Sequence, residues 1–180
     1  LYNEIWVETI PSGIEISSKT NENIPKDESN LIYSTIRDFY EAENIPMPGI
    51  RLIQDDHIPM TRGLGSSAAC IVGGLIAANI LSGKNYSKDE LAQKAAKLEG
   101  HPDNSNPAIF GDMIISAMYS EGMKYVKLNV PKNILFAVMI PEFTLSTKKA
   151  RAVLPDSYTR SQSIFNSSRT GLMVASMMTG

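Results

Sequence analysis

Between Pro59 and Ala69 the chain reads Pro-Met-Thr-Arg-Gly-Leu-Gly-Ser-Ser-Ala-Ala, and these residue types suit the binding of an anion. Gly63 and Gly65 permit backbone angles and a closeness of approach that a side chain would block. Ser66 and Ser67 can cap the helix that follows or donate to phosphate oxygens. The N–H groups at that helix start, reinforced by the positive end of its dipole, would hold the β- and γ-phosphates of a nucleotide. The common P-loop is excluded because no Lys stands where G-x-x-x-x-G-K-[ST] requires it, and the Rossmann G-x-G-x-x-G fails at its third glycine. The structural alternative is an ordinary glycine turn in front of a buried helix.

Two further segments carry chemistry. Leu98-Glu99-Gly100-His101-Pro102-Asp103-Asn104 follows a helix, and a carboxylate at a helix end can ligate Mg²⁺, a cation that prefers oxygen and keeps several waters. Read plainly, Glu99 is a solvated helix-end charge and His101 a structural histidine beside Pro102. In Ser146-Thr147-Lys148-Lys149-Ala150-Arg151, Thr147 and Arg151 are four apart and would share a helix face. An Arg guanidinium can clamp an α-carboxylate through two parallel hydrogen bonds, which a Lys cannot reproduce. The plain alternative is a basic, solvated first turn. His57 has no partner legible in the sequence, and Cys70 reads as a small buried hydrophobe.

The elements that must position these residues follow from periodicity. Leu1 to Glu8 alternates as a half-buried strand, Pro11-Ser12-Gly13 signals a turn, and Ile14 to Ser17 alternates again, so a hairpin is expected. Ser29 is placed to cap a helix carrying Leu31, Ile32, Ile36, Phe39 and Tyr40, which ends before Pro46 and Pro48. Ile50 to Gln54 reads as a strand leading into the glycine loop. Small apolar residues from Ser67 to Leu81 cover nearly all faces of a helix and predict burial, with Gly83 ending it. Ser87 to Glu90 has capping-box spacing and opens a helix through Leu91, Ala95 and Leu98. Strands are expected at Met113 to Met118, Tyr125 to Leu128 and Leu135 to Ile140. Helices are expected near Ser146 to Val153 and Tyr158 to Met178, the second ending in a Met-rich core stretch from Leu172 to Met178.

Bulk properties narrow the partners. The 180 residues are 43% hydrophobic, and 17 Lys+Arg against 19 Asp+Glu give a net charge of -2, so no broad electrostatic grip on nucleic acid or anionic lipid is expected. With a mean hydropathy of -0.11, the chain reads as globular. The single cysteine excludes an internal disulfide framework and fits a reducing cytoplasm. The longest apolar run, Ala108 to Met118, is broken by Gly111 and Asp112, short of the roughly 20 residues a membrane helix needs.

The eleven residues P-x-x-x-G-L-G-S-S-A-A resemble the second motif of the GHMP kinases, the group that includes galactokinase, homoserine kinase and mevalonate kinase. E-G-H-P-D-N at 99–104 is similar to the homoserine kinase form of the next segment, where V-A-P-A follows; here Ser105 and Asn106 replace the apolar pair, while Pro107 and Ala108 match. S-T-x-x-A-R at 146–151 resembles the same branch. The resemblance implies an α+β fold, with a mixed β-α-β N-terminal domain over residues 1–143 and the beginning of a ferredoxin-like C-terminal domain over 144–180. It implies ATP held by Pro59, Arg62, Gly63, Leu64, Gly65, Ser66, Ser67 and Ala68, and Mg²⁺ shared by the loop serine, Ser66 or Ser67, and Glu99. His101, Asp103, Asn104 and Arg151 would contact L-homoserine, and Asn104, Thr147 and Arg151 would act in the transfer.

Asp103 aligns with the base of mevalonate kinase relatives. Phosphoryl transfer is dominated by positioning and charge neutralisation, so an Asn that orients the hydroxyl suffices, and the choice between Asp103 and Asn104 stays open. The implied reaction converts ATP and L-homoserine to ADP and O-phospho-L-homoserine, a step toward threonine. Another GHMP kinase of the mevalonate type, or a nucleotide-binding fragment without catalysis, remains the alternative, since the family's first motif would lie before Leu1 and its third beyond Gly180. The resemblance leaves a homodimer open.

Overall fold

The computed structural model describes residues 1–140, 142–143, 150 and 152–179. Three strands form the main sheet: β1 (Asn3–Ile10), β2 (Ile14–Ser18) and β3 (Gly49–Asp56), in the order β1-β3-β2. The expected hairpin is therefore not formed. Although Pro11-Ser12-Gly13 turns as read, β3 enters between the two strands, antiparallel to β1 and parallel to β2. Burial explains the choice: on the inner face Ile50 and Leu52 of β3 are fully buried and Gln54 nearly so, whereas Ile5 and Val7 of β1 and Ile14 and Ile16 of β2 are only partly buried. Gly49 makes the insertion feasible, because a Cβ there would meet the Ser12 backbone at 2.5 Å. On the outer face, Arg51 bridges Glu8 of β1 and Glu15 of β2.

Helices α1 (Leu31–Ala42), α2 (Ser66–Ser82) and α3 (Lys88–Glu99) pack over the inner face. The cap of α1 is Asn30, not Ser29: the Asn30 Oδ1 accepts from the N–H groups of Ile32 and Tyr33 at 3.0 and 3.3 Å. Ser29 instead turns its N–H and hydroxyl onto the Asp27 carboxylate. Asn30 is the better choice because its amide also donates to the Gln54 Oε1 at 2.6 Å, tying the cap to the central strand. At the α1–α2 crossing, a Cβ on Gly74 would lie 2.8 Å from Thr35 Cβ and 2.9 Å from the Ile32 carbonyl, so glycine lets the two helices touch. The Ser87–Glu90 capping box forms as its spacing predicts.

Glu43, just past α1, is only 10% exposed and accepts from Lys94, Tyr86 and Lys84 at 2.8, 2.8 and 3.1 Å. These three donors, Lys94 foremost, lower its pKa to about 2 and tie α1 to α3. A short helix α4 (Ser105–Phe110) leads to the hairpin β4 (Met113–Tyr119) and β5 (Gly122–Leu128). Gln93 of α3 grips that hairpin at both polar groups of Met123, donating to its carbonyl at 2.7 Å and accepting from its N–H at 2.8 Å.

Three further expectations differ. Residues 135–140 form no strand. The helix α5 (Arg160–Thr179) forms, but none of its described residues is buried, and Leu172, Met173 and Met178 are exposed rather than in a core. Helix α2 is buried on one side only, with Ile76 and Ile80 exposed on the other. The helix expected at 146–153 falls mostly outside the described residues.

Candidate nucleotide and acceptor site

The glycine loop leaves β3 and enters α2 through three residues with left-handed backbone, Thr61 (φ 55°), Gly63 (φ 71°) and Gly65 (φ 78°). Left-handed positions that alternate with residues of negative φ turn backbone N–H groups toward one side, the geometry of an anion nest. Gly65 is the N-cap of α2 and no side chain caps that end, so Ser66 and Ser67 occupy its first turn instead of capping it. An uncapped start of a 17-residue helix leaves N–H donors and a positive dipole end directed outward.

Pro59, Gly63, Leu64, Gly65, Ser66, Ser67 and Ala68 line a cleft of about 490 Å³ together with Glu99, His101 and Asn104. The second segment reaches the loop because Gly100, in the left-handed region at φ 77°, stops α3 and turns the chain back. Asn104 then stands against the loop, its amide carbon and oxygen 3.9 Å from where a Cβ on Gly65 would be. None of the described residues lining the cleft is Lys or Arg, so these residues offer phosphate chiefly backbone donors and serine hydroxyls.

The Glu99 Oε2 is buried and accepts no hydrogen bond, and burial raises the pKa of this carboxyl, partly offset by His101 and by the N–H and hydroxyl of Ser105. An orphaned carboxylate oxygen beside an anion cradle is what a divalent cation would complete. Among the described residues no cluster of three His, Cys, Asp or Glu side chains could hold a metal by itself. A Mg²⁺ here would therefore draw its remaining ligands from phosphate oxygens and water.

Two predicted residues stand apart from the cleft lining. Asp103 is exposed, with a carboxylate oxygen 3.8 Å from the His101 Nδ1. Arg62 donates to the Glu142 carbonyl at 2.8 Å. Thr147 and Arg151 lie outside the described residues. The His57 Nε2 lies 3.1 Å from the Asp55 Oδ1, with no hydrogen bond between them. Cys70 is partly exposed, and burial of its thiol pushes the pKa up to about 11, which leaves it a protonated, unreactive wall residue.

Sequence reasoning missed a second cavity of about 160 Å³ that shares Leu31, Thr61, Ser66 and Ser67 with the cleft. Ile24, Pro25, Met60 and Cys70 give it apolar walls, and Asn30, Gln54 and Asp56 add polar groups. Its residues come from four separate stretches of chain, and nothing in their local pattern brings them together.

The family model for the GHMP kinases N terminal domain matches residues 30–112, which hold the loop, Glu99, His101 and Asn104. The chain is 42% identical over 181 residues to a homoserine kinase of Caldicellulosiruptor saccharolyticus, covering 100% of this chain and 59% of that protein. It is 45% identical over 182 residues to a homoserine kinase of Clostridium novyi, covering 100% and 60%. The solved structure of homoserine kinase from Cytophaga hutchinsonii superposes with a TM-score of 0.77 at 28% identity, covering 98% of this chain and 59% of that one. The chain thus spans about three fifths of the length of the curated relatives it matches.

Proposed function

We propose that this chain, which carries the GHMP kinase N-terminal domain, belongs to an enzyme that transfers the γ-phosphoryl group of ATP to the side-chain hydroxyl of L-homoserine. The observation that carries the reading is the meeting, in one cleft, of the uncapped start of α2, the orphaned Glu99 oxygen and the Asn104 amide. On this reading residues 1–143 form the ATP-binding domain and 144–180 begin the C-terminal domain.

The roles follow from placement. The N–H groups of Gly63 to Ala68 and the hydroxyls of Ser66 and Ser67 bind the phosphates. The smaller cavity, next to the same serines, takes the nucleoside, its apolar walls against the base and the Asn30, Gln54 and Asp56 side chains as polar contacts. Ser66 and Glu99 hold Mg²⁺, which when bound neutralises charge on the transferring phosphoryl group. Asn104 orients the acceptor hydroxyl and His101 contacts the amino acid, while Thr147 and Arg151, outside the described residues, are assigned to its hydroxyl and carboxylate by resemblance alone. The exposed position of Asp103, away from the cleft lining, favours orientation by Asn104 over proton abstraction by Asp103. No helix among the described residues is long and apolar enough to cross a membrane, and we place the enzyme in the cytoplasm with ATP and L-homoserine as its small-molecule partners.

The test is ADP release with Mg²⁺-ATP and each of two acceptors. L-homoserine should support turnover and yield O-phospho-L-homoserine, identified by ³¹P NMR. Turnover with mevalonate and none with homoserine would replace the substrate. ATP binding without ADP release from any alcohol would make the protein a nucleotide-binding module.

A further inference from the structure

The motif that Glu99 to Asn104 resembles continues with an apolar pair, whereas this chain has Ser105 and Asn106, and both are completely buried. Burying two polar side chains costs free energy unless they find partners, so the pair must answer to something in its surroundings. Asn106 answers to the hairpin: its Nδ2 donates to the Ser116 Oγ at 2.7 Å and contacts the Met123 Sδ at 3.1 Å, and its N–H donates to the Pro102 carbonyl at 3.1 Å. These contacts fix the rotation of α4 about its axis, and with it the direction of the neighbouring residue. Ser105 has no such account. Its buried Oγ makes no close hydrogen bond, and the group it acts on is the Glu99 carboxylate; it stands at the first position of α4, where the chain has just turned back past the end of α3. In that same turn the Glu99 Oε2 is also buried without a partner.

We propose that Ser105 is a positioning residue of the cation site, its hydroxyl holding the Glu99 carboxylate for the divalent cation that accompanies the nucleotide. The proposal rests on the kinase reading above. The chemistry is complementary: the Ser105 hydroxyl and N–H act on the Glu99 carboxylate, while its buried Oε2 keeps its lone pairs for a cation. A carboxylate that binds a metal through one oxygen needs its other lone pairs engaged, or the side chain rotates away and the cation loses a defined ligand. Ser105 touches neither nucleotide nor acceptor in this arrangement and acts only through Glu99.

The experiment uses Mn²⁺ as the probe cation and a non-hydrolysable ATP analogue, with Mn²⁺ affinity followed by electron paramagnetic resonance and analogue affinity by calorimetry. Ser105→Ala should weaken Mn²⁺ binding to the protein–nucleotide complex by about tenfold or more, while binding of the analogue without metal stays within twofold of the unsubstituted protein. Where Ser105→Ala fails to fold, Ser105→Cys, close in size and a weak donor, is read in the same way. Unchanged Mn²⁺ affinity overturns the proposal, and so does an equal loss of metal-free nucleotide binding, since that marks a merely structural residue. If the unsubstituted protein binds the analogue equally with and without Mn²⁺, the kinase reading falls, and this inference with it.

Discussion

Gly65 and Gly83 stand at opposite ends of α2 in nearly the same conformation, φ 78° and ψ 20° for the first and φ 70° and ψ 16° for the second. They therefore make a matched pair for separating the cost of backbone strain from the cost of blocking the phosphate site. Alanine at either position places a Cβ in the left-handed region, which costs about 1–2 kcal/mol. Neither substitution adds a clash, because nothing lies within 4 Å of a Cβ at Gly83 and the nearest atom at Gly65 is Asn104 Cβ at 3.8 Å. Both variants should lose about 1–2 kcal/mol of unfolding free energy in a urea titration. Only at Gly65 does the new methyl stand in the cleft, between Asn104 and the N–H groups of the loop. Displacing a phosphate oxygen from one charge-assisted hydrogen bond costs about 1.5–3 kcal/mol. The Kd for an ATP analogue should accordingly rise roughly 10- to 150-fold in Gly65→Ala and less than about twofold in Gly83→Ala. Equal nucleotide affinity in the two variants, at similar stability, would refute the loop as the anion cradle.

Three other perturbations test the frame and the acceptor site. Glu43→Gln should lower stability at neutral pH by about 1–2 kcal/mol, since it removes the charge that Lys84, Lys94 and Tyr86 surround. Because the folded pKa of Glu43 is depressed from 4.5 to about 2, its contribution is present above pH 4.5 and is lost as pH falls toward 2. Stability should then fall less steeply over that window in the variant, measured by urea titration at stepped pH, and parallel acid limbs would contradict the assignment. Gly74→Ala forces Thr35 and the Ile32 carbonyl apart and should cost about 1–3 kcal/mol, seen as a lower melting temperature; no change would mean that the α1–α2 crossing is looser than the 2.8 Å approach implies. On the proposed reading, Arg151→Lys should raise the KM for homoserine far more than the KM for ATP, because a two-pronged clamp on the carboxylate would be lost, and steady-state kinetics giving equal effects would remove Arg151 from the proposed acceptor site.

What could be read from the sequence was what is local. The capping box at Ser87, the glycine stop at Gly83 and the alternation of β1 each depend on residues within a few positions, and each appears in the structure. What escaped was decided at a distance. The insertion of β3 between β1 and β2 is settled by which strand buries its inner face most completely, and a turn signal at Gly13 says nothing about that. The capping of α1 went to Asn30 rather than Ser29 because Gln54, 24 residues away, needed the Asn30 amide. The Met-rich half of α5 has the composition of a core helix, yet burial is a property of the partner surface, and no described residue provides one.

Ser105 and Asn106 show the same limit at the site itself. In sequence the two polar residues look like a departure from an apolar packing pair, and their local pattern gives no hint that both are inside. The partners that make Asn106 tolerable, Ser116 and Met123, lie 10 and 17 residues further on, in a hairpin whose attachment depends on Gln93. Four of the six buried side-chain polar atoms without a partner among the described residues belong to Glu99, His101, Ser105 and Asn106. Folded proteins satisfy nearly all such atoms, so a concentration of them in eight consecutive residues at the edge of an anion cradle is not what packing alone would leave. Rules of local consistency are expected to fail where a ligand completes the hydrogen bonding. On the proposed reading, the free energy sacrificed in burying these groups would be recovered on binding a cation and a polar acceptor, which would tie ligand affinity at this site to the polarity of a segment that the fold would more cheaply build from apolar residues.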